Sequence, residues 1–204
     1  MNFNIEKEYK CLVSKEQFET LLKYYPRVSF QTQTNTYFDT ADLTVKQLKG
    51  AMRIREVKQQ FLFTLKLPGK AGLQEFECFV SNDRITTLEN HEEIVELLSS
   101  HGIHGPFQML CQLTTKRGIV HLPNAVIPLT TLVTKRAVVE TENAELCFDI
   151  STYGNHTDYE IEYEWTKAHD GLTQFNQILA PIHLSYEKNC DSKIKRAMDA
   201  LCKD

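Results

Sequence analysis

The sequence predicts a mainly β protein of the α+β class: a closed eight-stranded antiparallel β-barrel with a charged interior and helices packed outside. Three observations point there. Alternation of polar with apolar residues at period two recurs in segment after segment. The connections are short and polar, as in Lys58-Gln59-Gln60 and Pro68-Gly69-Lys70-Ala71-Gly72, which suits hairpins better than βαβ crossovers. Like charges also stand two residues apart on several strands, so that whole strand faces carry charge.

In chain order, the alternation places strands over residues 3–12, 29–38, 50–57, 60–67, 73–80, 107–116, 130–139, 145–152 and 158–165. Ser14-Lys15-Glu16-Gln17 is a capping box that opens a helix running to Tyr25, with Phe18, Leu21 and Leu22 at helical spacing and Pro26 as its stop. Further amphipathic helices are expected over 87–100, 168–179 and 192–202. No linker, repeat or low-complexity stretch divides the chain, so residues 1–204 are read as a single domain.

A formal charge of −4 gives no general attraction to nucleic acid or anionic lipid, so any polyanion must be held by locally clustered cations. The first residues, Met1 to Glu8, lack a basic region followed by an apolar one, and no uncharged stretch approaches spanning length. A cytoplasmic protein without nucleic-acid or membrane partners is expected, and a homodimer remains open. Cys11, Cys78, Cys111, Cys147, Cys190 and Cys202 are scattered without CxxC or zinc spacing, which fits reduced thiols.

The charged faces carry the functional signal. Glu6, Glu8 and Lys10 share one side of the first strand; Arg53 and Arg55 lie opposite Met52 and Ile54; Lys66 stands with Thr64; Glu75 and Glu77 share a side; Glu160 and Glu162 alternate with Tyr159, Ile161 and Tyr163. A solvated sheet face also alternates, but it mixes polar types. Here like charges pair at i and i+2, about 7 Å apart, an arrangement that repels unless opposite charge lies between. A barrel with these faces inward brings Glu6, Glu8, Glu75, Glu77, Asp149, Glu160 and Glu162 before Lys10, Arg53, Arg55, Lys66, Arg136 and Lys193. Clusters of both signs suit a metal–polyphosphate complex: Arg and Lys meet phosphate oxygens, and hard divalent ions take carboxylates. A lipocalin-like carrier is disfavoured, because such charges would be buried unpaired.

The triplet Glu6-x-Glu8-x-Lys10 resembles the ExExK signature of the CYTH family, the triphosphate tunnel metalloenzymes. Tyr37-Phe38-Asp39-Thr40, Met52-Arg53-Ile54-Arg55, Leu65-Lys66, Glu75-x-Glu77, Arg136, Phe148-Asp149, Tyr159-Glu160-Ile161-Glu162 and Ser192-Lys193 follow in the family's order. The late segment from Asp149 to Glu164 looks most like the small bacterial YjbK-like branch. Thr115-Lys116-Arg117 and Thr134-Lys135-Arg136 both resemble the late arginine strand; Arg136 is preferred, because its distance to Asp149 suits one hairpin.

The resemblance implies a metal-dependent triphosphatase acting on a small triphosphate: tripolyphosphate, thiamine triphosphate or a nucleoside triphosphate. Its cofactor would be Mg²⁺ or Mn²⁺, held by Asp149, Glu160 and Glu162, with Glu6 and Glu8 completing the shell or holding a second ion. Lys10, Arg53, Arg55, Lys66, Arg136 and Lys193 would bind the triphosphate, with Glu160, Glu162, Lys66 and Lys193 as catalytic candidates and Glu75 and Glu77 in support. A class IV-type adenylate cyclase and a non-catalytic polyphosphate or nucleotide sensor are the alternatives. Asp39 reads as a turn cap, Tyr153 as a packing residue or one that reaches a base or sugar, and Lys195 and Arg196 as cations that favour a helix C-terminal half.

Overall fold

Alternation along the chain becomes antiparallel sheet. The structure is a computed structural model that describes residues 2–69, 72–104 and 126–201, leaving the strand expected at 107–116, and Arg117 after it, outside the described residues. The strands are β1 (Asn2–Glu6), β2 (Glu8–Val13), β3 (Gln31–Thr40), β4 (Ala51–Val57), β5 (Gln60–Gly69), β6 (Gly72–Val80), β7 (Val126–Glu140), β8 (Ala144–Tyr153) and β9 (His156–Trp165). The helices are α1 (Lys15–Leu22), α2 (Thr44–Gln47), α3 (Glu92–Ser100), α4 (Gly171–Leu179) and α5 (Lys193–Leu201), with 3₁₀ turns at Ile85–Asn90 and Ala180–Ile182. No described helix is long and apolar enough to cross a membrane.

One difference from the sequence reading stands out. The single strand expected over 3–12 is broken at Lys7, because the residues before and after it join different neighbours: β1 lies beside β6, and β2 pairs with β9. Alternation passes through such a break unmarked. The chain also gathers into two compact units, one of residues 1–5 and 34–131, the other of residues 6–33 and 132–204.

In the first unit the strand order is β1-β6-β5-β4-β3. Met52, Ile54, Phe63, Leu65 and Leu67 point to one side and pack with Ile85, Leu88, Ile94 and Leu98 from the 3₁₀ turn and α3. The β4–β5 hairpin turns through Lys58 and Gln59, both at positive φ (49° and 62°) although neither is glycine.

In the second unit the order is β7-β8-β9-β2. Ala137, Leu146, Phe148, Ile161 and Tyr163 form the apolar face, covered by Phe18 and Leu21 of α1 and by Phe175 and Leu179 of α4. The expected capping box is present: Ser14 Oγ accepts from the Gln17 amide at 3.2 Å and Gln17 Oε1 accepts from the Ser14 amide at 2.9 Å. In each unit the helices therefore cover the apolar strand face, and the opposite face is left to the charged residues.

Candidate functional site

Register builds the site in the second unit. Residues directly opposite across antiparallel strands share a face, so the row Arg136–Asp149–Glu160 runs across β7, β8 and β9 to Leu12 of β2. The adjacent row on that face is Val138–Cys147–Glu162–Lys10, and on the other side stands Thr134–Ser151–Asp158. Three carboxylates thus arrive on neighbouring positions of two central strands. Asp149, Glu160 and Glu162 are 0%, 1% and 7% exposed, and each offers an oxygen within 4.8 Å of the others.

Charges this deep persist only if compensated. Arg136 grips Asp149 with both Nε, at 2.7 Å from Oδ1, and Nη2, and Nη2 also meets Glu162. Lys193, the first residue of α5, places Nζ 2.9 Å from Asp149 Oδ2 and 2.5 Å from an oxygen of both Glu160 and Glu162. Lys10 pairs with Glu8, which sits across from Glu164.

Burial pushes the Glu162 carboxyl up, but Arg136 and Lys193 overcome it and hold the group well below the usual carboxylate range. Asp149 is likewise lowered, burial being outweighed by Lys193 and Arg136. For Glu160 burial wins against Lys193, helped by the neighbouring Glu162, and the carboxyl is pushed up to about 7. Lys193, despite the cost of its burial, is raised well above its ordinary value by Asp149, Glu162 and Glu160.

The first unit carries the other charged face. Its rows are Tyr37–Arg53–Thr64–Glu77, Ala51–Lys66–Glu75 and Asn35–Arg55–Leu62. Lys66 Nζ lies 3.2 Å and Arg53 Nη2 3.9 Å from Glu75 Oε1, while Thr64 donates to Glu77 at 2.9 Å. Arg55 Nε donates to Asn35 Oδ1 at 2.9 Å. Arg53 Nε is buried with no hydrogen-bond partner among the described residues.

The structure thus gathers Asp149, Glu160, Glu162, Arg136 and Lys193 into one cluster, with Lys10 beside it. Glu8 stands a row away from Glu162, and the Glu6 side chain lies outside the described residues. Arg53, Arg55, Lys66, Glu75 and Glu77 share the first unit's face. As a donor set, three buried carboxylates fit a hard divalent ion such as Mg²⁺ or Mn²⁺, which binds oxygen. Asp39 caps as expected, accepting from the amides of Thr40, Val45 and Lys46 at 2.7, 2.8 and 3.0 Å.

Sequence reasoning missed three members. Arg196 was read as a cation that simply favours a helix C-terminal half. Instead α5 begins at Lys193, and Arg196, one turn on, reaches the cluster: Nε lies 2.7 Å from Asp158 Oδ2 and Nη2 meets Glu160. Asp158 belongs to the same alternation as Glu160 and also accepts from the buried Tyr153 hydroxyl. Cys190 directs its thiol to Glu160 Oε2 at 3.8 Å. The spacing of Lys193 and Arg196 and the run from Asp158 to Glu162 were signals enough for the first two; nothing local marks Cys190. Lys195 does stay outside, bonded to Asp191 and Asp199 at 2.9 and 2.8 Å.

Known proteins are similar to this chain in sequence and fold. Over 198 residues, 96% of this chain and 95% of the relative, the sequence is 30% identical to a Bacillus subtilis (strain 168) protein named "Putative triphosphatase YjbK". A solved structure from Bacillus halodurans, described as a "putative adenylate cyclase", is 33% identical with a TM-score of 0.71, covering 96% of this chain and 98% of that one. The Hippeastrum protein HpAC1, described as having a dominant triphosphatase activity, is 22% identical with a TM-score of 0.66 over 96% of each chain and shows the common fold. The CYTH domain matches residues 4–197, a span that encloses both charged faces from Lys10 to Arg196, and the chain belongs to that family.

Proposed function

We propose that the protein is a divalent-metal-dependent triphosphatase, a single domain over residues 1–204 built on a closed β-barrel fold, that acts on a small triphosphate. The observation that carries this reading is the buried triad Asp149, Glu160 and Glu162, bracketed by Arg136 and Lys193. Binding alone would need only cations; three buried carboxylates on an anion's path make sense with a divalent ion between them. The names of the Bacillus subtilis relative and of HpAC1 support the same reaction class.

Asp149, Glu160 and Glu162 would hold Mg²⁺ or Mn²⁺, with Glu8 and Glu6 next in line. Bound there, the ion supplies charge neutralisation and a site for the attacking water. Lys10, Arg53, Arg55, Lys66, Arg136 and Lys193 bind the phosphate oxygens and stabilise the charge that builds on them during in-line displacement. Glu75 fixes Lys66 and Arg53, Thr64 fixes Glu77, and Asn35 fixes Arg55, so the cations meet the substrate already oriented. Work in the cytoplasm fits the four described cysteines, all free thiols.

The deciding experiment is phosphate release from tripolyphosphate, thiamine triphosphate and ATP with Mg²⁺, Mn²⁺ or EDTA, comparing wild type with Glu160→Gln. Release that needs metal and falls at least ~100-fold in the variant is expected. The description of the Bacillus halodurans structure makes a cyclase the second reading; cyclic AMP formed from ATP would decide for it. Tight triphosphate binding without turnover would make the protein a sensor.

A further inference from the structure

Lys193 stands on the carboxylate triad rather than beside it. Its Nζ lies 2.9 Å from Asp149 and 2.5 Å from both Glu160 and Glu162. The ammonium donates to Glu160 and Glu162 and forms an ion pair with Asp149, so this one lysine engages all three carboxylates, which Arg136 and Arg196 also contact. These are the same three side chains that can present oxygens to a metal ion. A divalent ion would approach those oxygens to about 2.0–2.6 Å. Ion and ammonium would then share three oxygens with no room for water to screen them, and like charges that close repel strongly in a buried site. The two compete for one position.

The way α5 is held makes that competition matter. Ala197 is the one buried residue among those described in the helix. Its first turn is instead tied down by ions: Lys193 to the triad, and Arg196 to Asp158 at 2.7 Å and to Glu160. Asp191 and Asp199 bind Lys195, whose side chain is half exposed. A helix anchored by its charges loosens when those charges find another partner.

We infer that α5 is an ionic latch: Lys193 takes the place of the divalent ion on Asp149, Glu160 and Glu162, and the ion, on binding, displaces the ammonium and frees the first turn of α5. The inference rests on the metal-dependent reading above and deepens it. An ammonium driven off the triad stays tethered next to it, where the phosphate oxygens drawn to the ion would be its nearest anions. Metal loading and presentation of Lys193 to substrate thereby become one event, and a triphosphate arriving without metal meets a lysine already engaged.

The test uses the full chain and Mn²⁺ alone as probe. Free Mn²⁺ is counted by electron paramagnetic resonance for wild type, Lys193→Met and Lys195→Met, and amide hydrogen exchange of residues 193–201 is followed in wild type with and without saturating Mn²⁺. Lys193→Met should bind Mn²⁺ at least ~10-fold more tightly than wild type, Lys195→Met should match wild type, and Mn²⁺ should speed exchange in the first turn of α5. Mn²⁺ binding to wild type with unchanged α5 exchange, or with no gain in Lys193→Met, overturns the latch and leaves the metal site standing. If neither wild type nor Lys193→Met binds Mn²⁺, both readings fall. Should Lys193→Met not fold, the exchange measurement on wild type decides alone.

Discussion

Glu160 and Asp149 face each other across β8 and β9, yet they answer to opposite forces. Burial has the upper hand at Glu160, pushed up to about 7, so the folded protein binds that proton more readily than the unfolded chain, whose Glu titrates near 4.3. This contribution to stability is complete below about pH 4.3 and is lost as pH rises through about 7. Urea denaturation in EDTA should therefore show wild type losing stability relative to Glu160→Gln between about pH 5 and 7, by at most ~1.4 kcal/mol per pH unit. A parallel pair of curves would show that Glu160 is ionised throughout. Asp149 is lowered by Lys193 and Arg136, and Asp149→Asn leaves those buried cations short of a partner. It should cost roughly 3–5 kcal/mol at pH 7, read from the same denaturation experiment. Cys190 gives a separate check: burial first, then Glu160, pushes its thiol up to about 11. Its alkylation by iodoacetamide should keep climbing about tenfold per pH unit to about pH 11, where an ordinary thiol levels off near 8.5. At this scale the like-charge pairs made most of the site readable in advance: Arg53 with Arg55, Glu75 with Glu77, Glu160 with Glu162. Arg196 was not read, although the last helix was expected within a residue of its start at Lys193, because the i, i+3 spacing that puts Arg196 on the same helix face as Lys193 was not used.

Elements were legible wherever one face is apolar. Strand alternation located β3 to β6 and β7 to β9 to within a few residues, and the capping box located α1. The break at Lys7 escaped because period two continues across it, and pairing partners, rather than side-chain pattern, separate β1 from β2. Turn chemistry adds a prediction at this scale. Lys58 and Gln59 hold positive φ in a two-residue hairpin where Asn-Gly is favoured. Replacing both, Lys58→Asn with Gln59→Gly, should raise stability by about 0.5–1 kcal/mol without altering catalysis, as measured by thermal melting and by phosphate release. The opposite outcome is expected at the start of α4. A Cβ at Gly171 would stand 2.3 Å from Trp165 Nε1, so Gly171→Ala must push the indole aside, and should lower the melting temperature at a cost of roughly 1–3 kcal/mol.

For the molecule as a whole, a metal that binds only the folded chain stabilises it by mass action. Mn²⁺ at about 100 times its dissociation constant should add ~2.7 kcal/mol and EDTA should remove it. Differential scanning fluorimetry with and without EDTA reads this, and an Asp149→Asn chain should show no such shift. Neither unit is a continuous stretch of sequence: residues 6–33 join residues 132–204, and β2 finds its partner only in β9. During synthesis this has a cost in time. At about 5–20 residues per second, Glu8–Val13 leaves the ribosome roughly 7–30 s before His156–Trp165 is made. Throughout that wait β2 is an unpaired strand carrying Tyr9, Cys11 and Val13, and α1 lacks the apolar face that it will cover. The segment bearing Glu8 and Lys10 is thus made long before the strand that fixes its place, and until then its exposed edge is open to pairing with another chain.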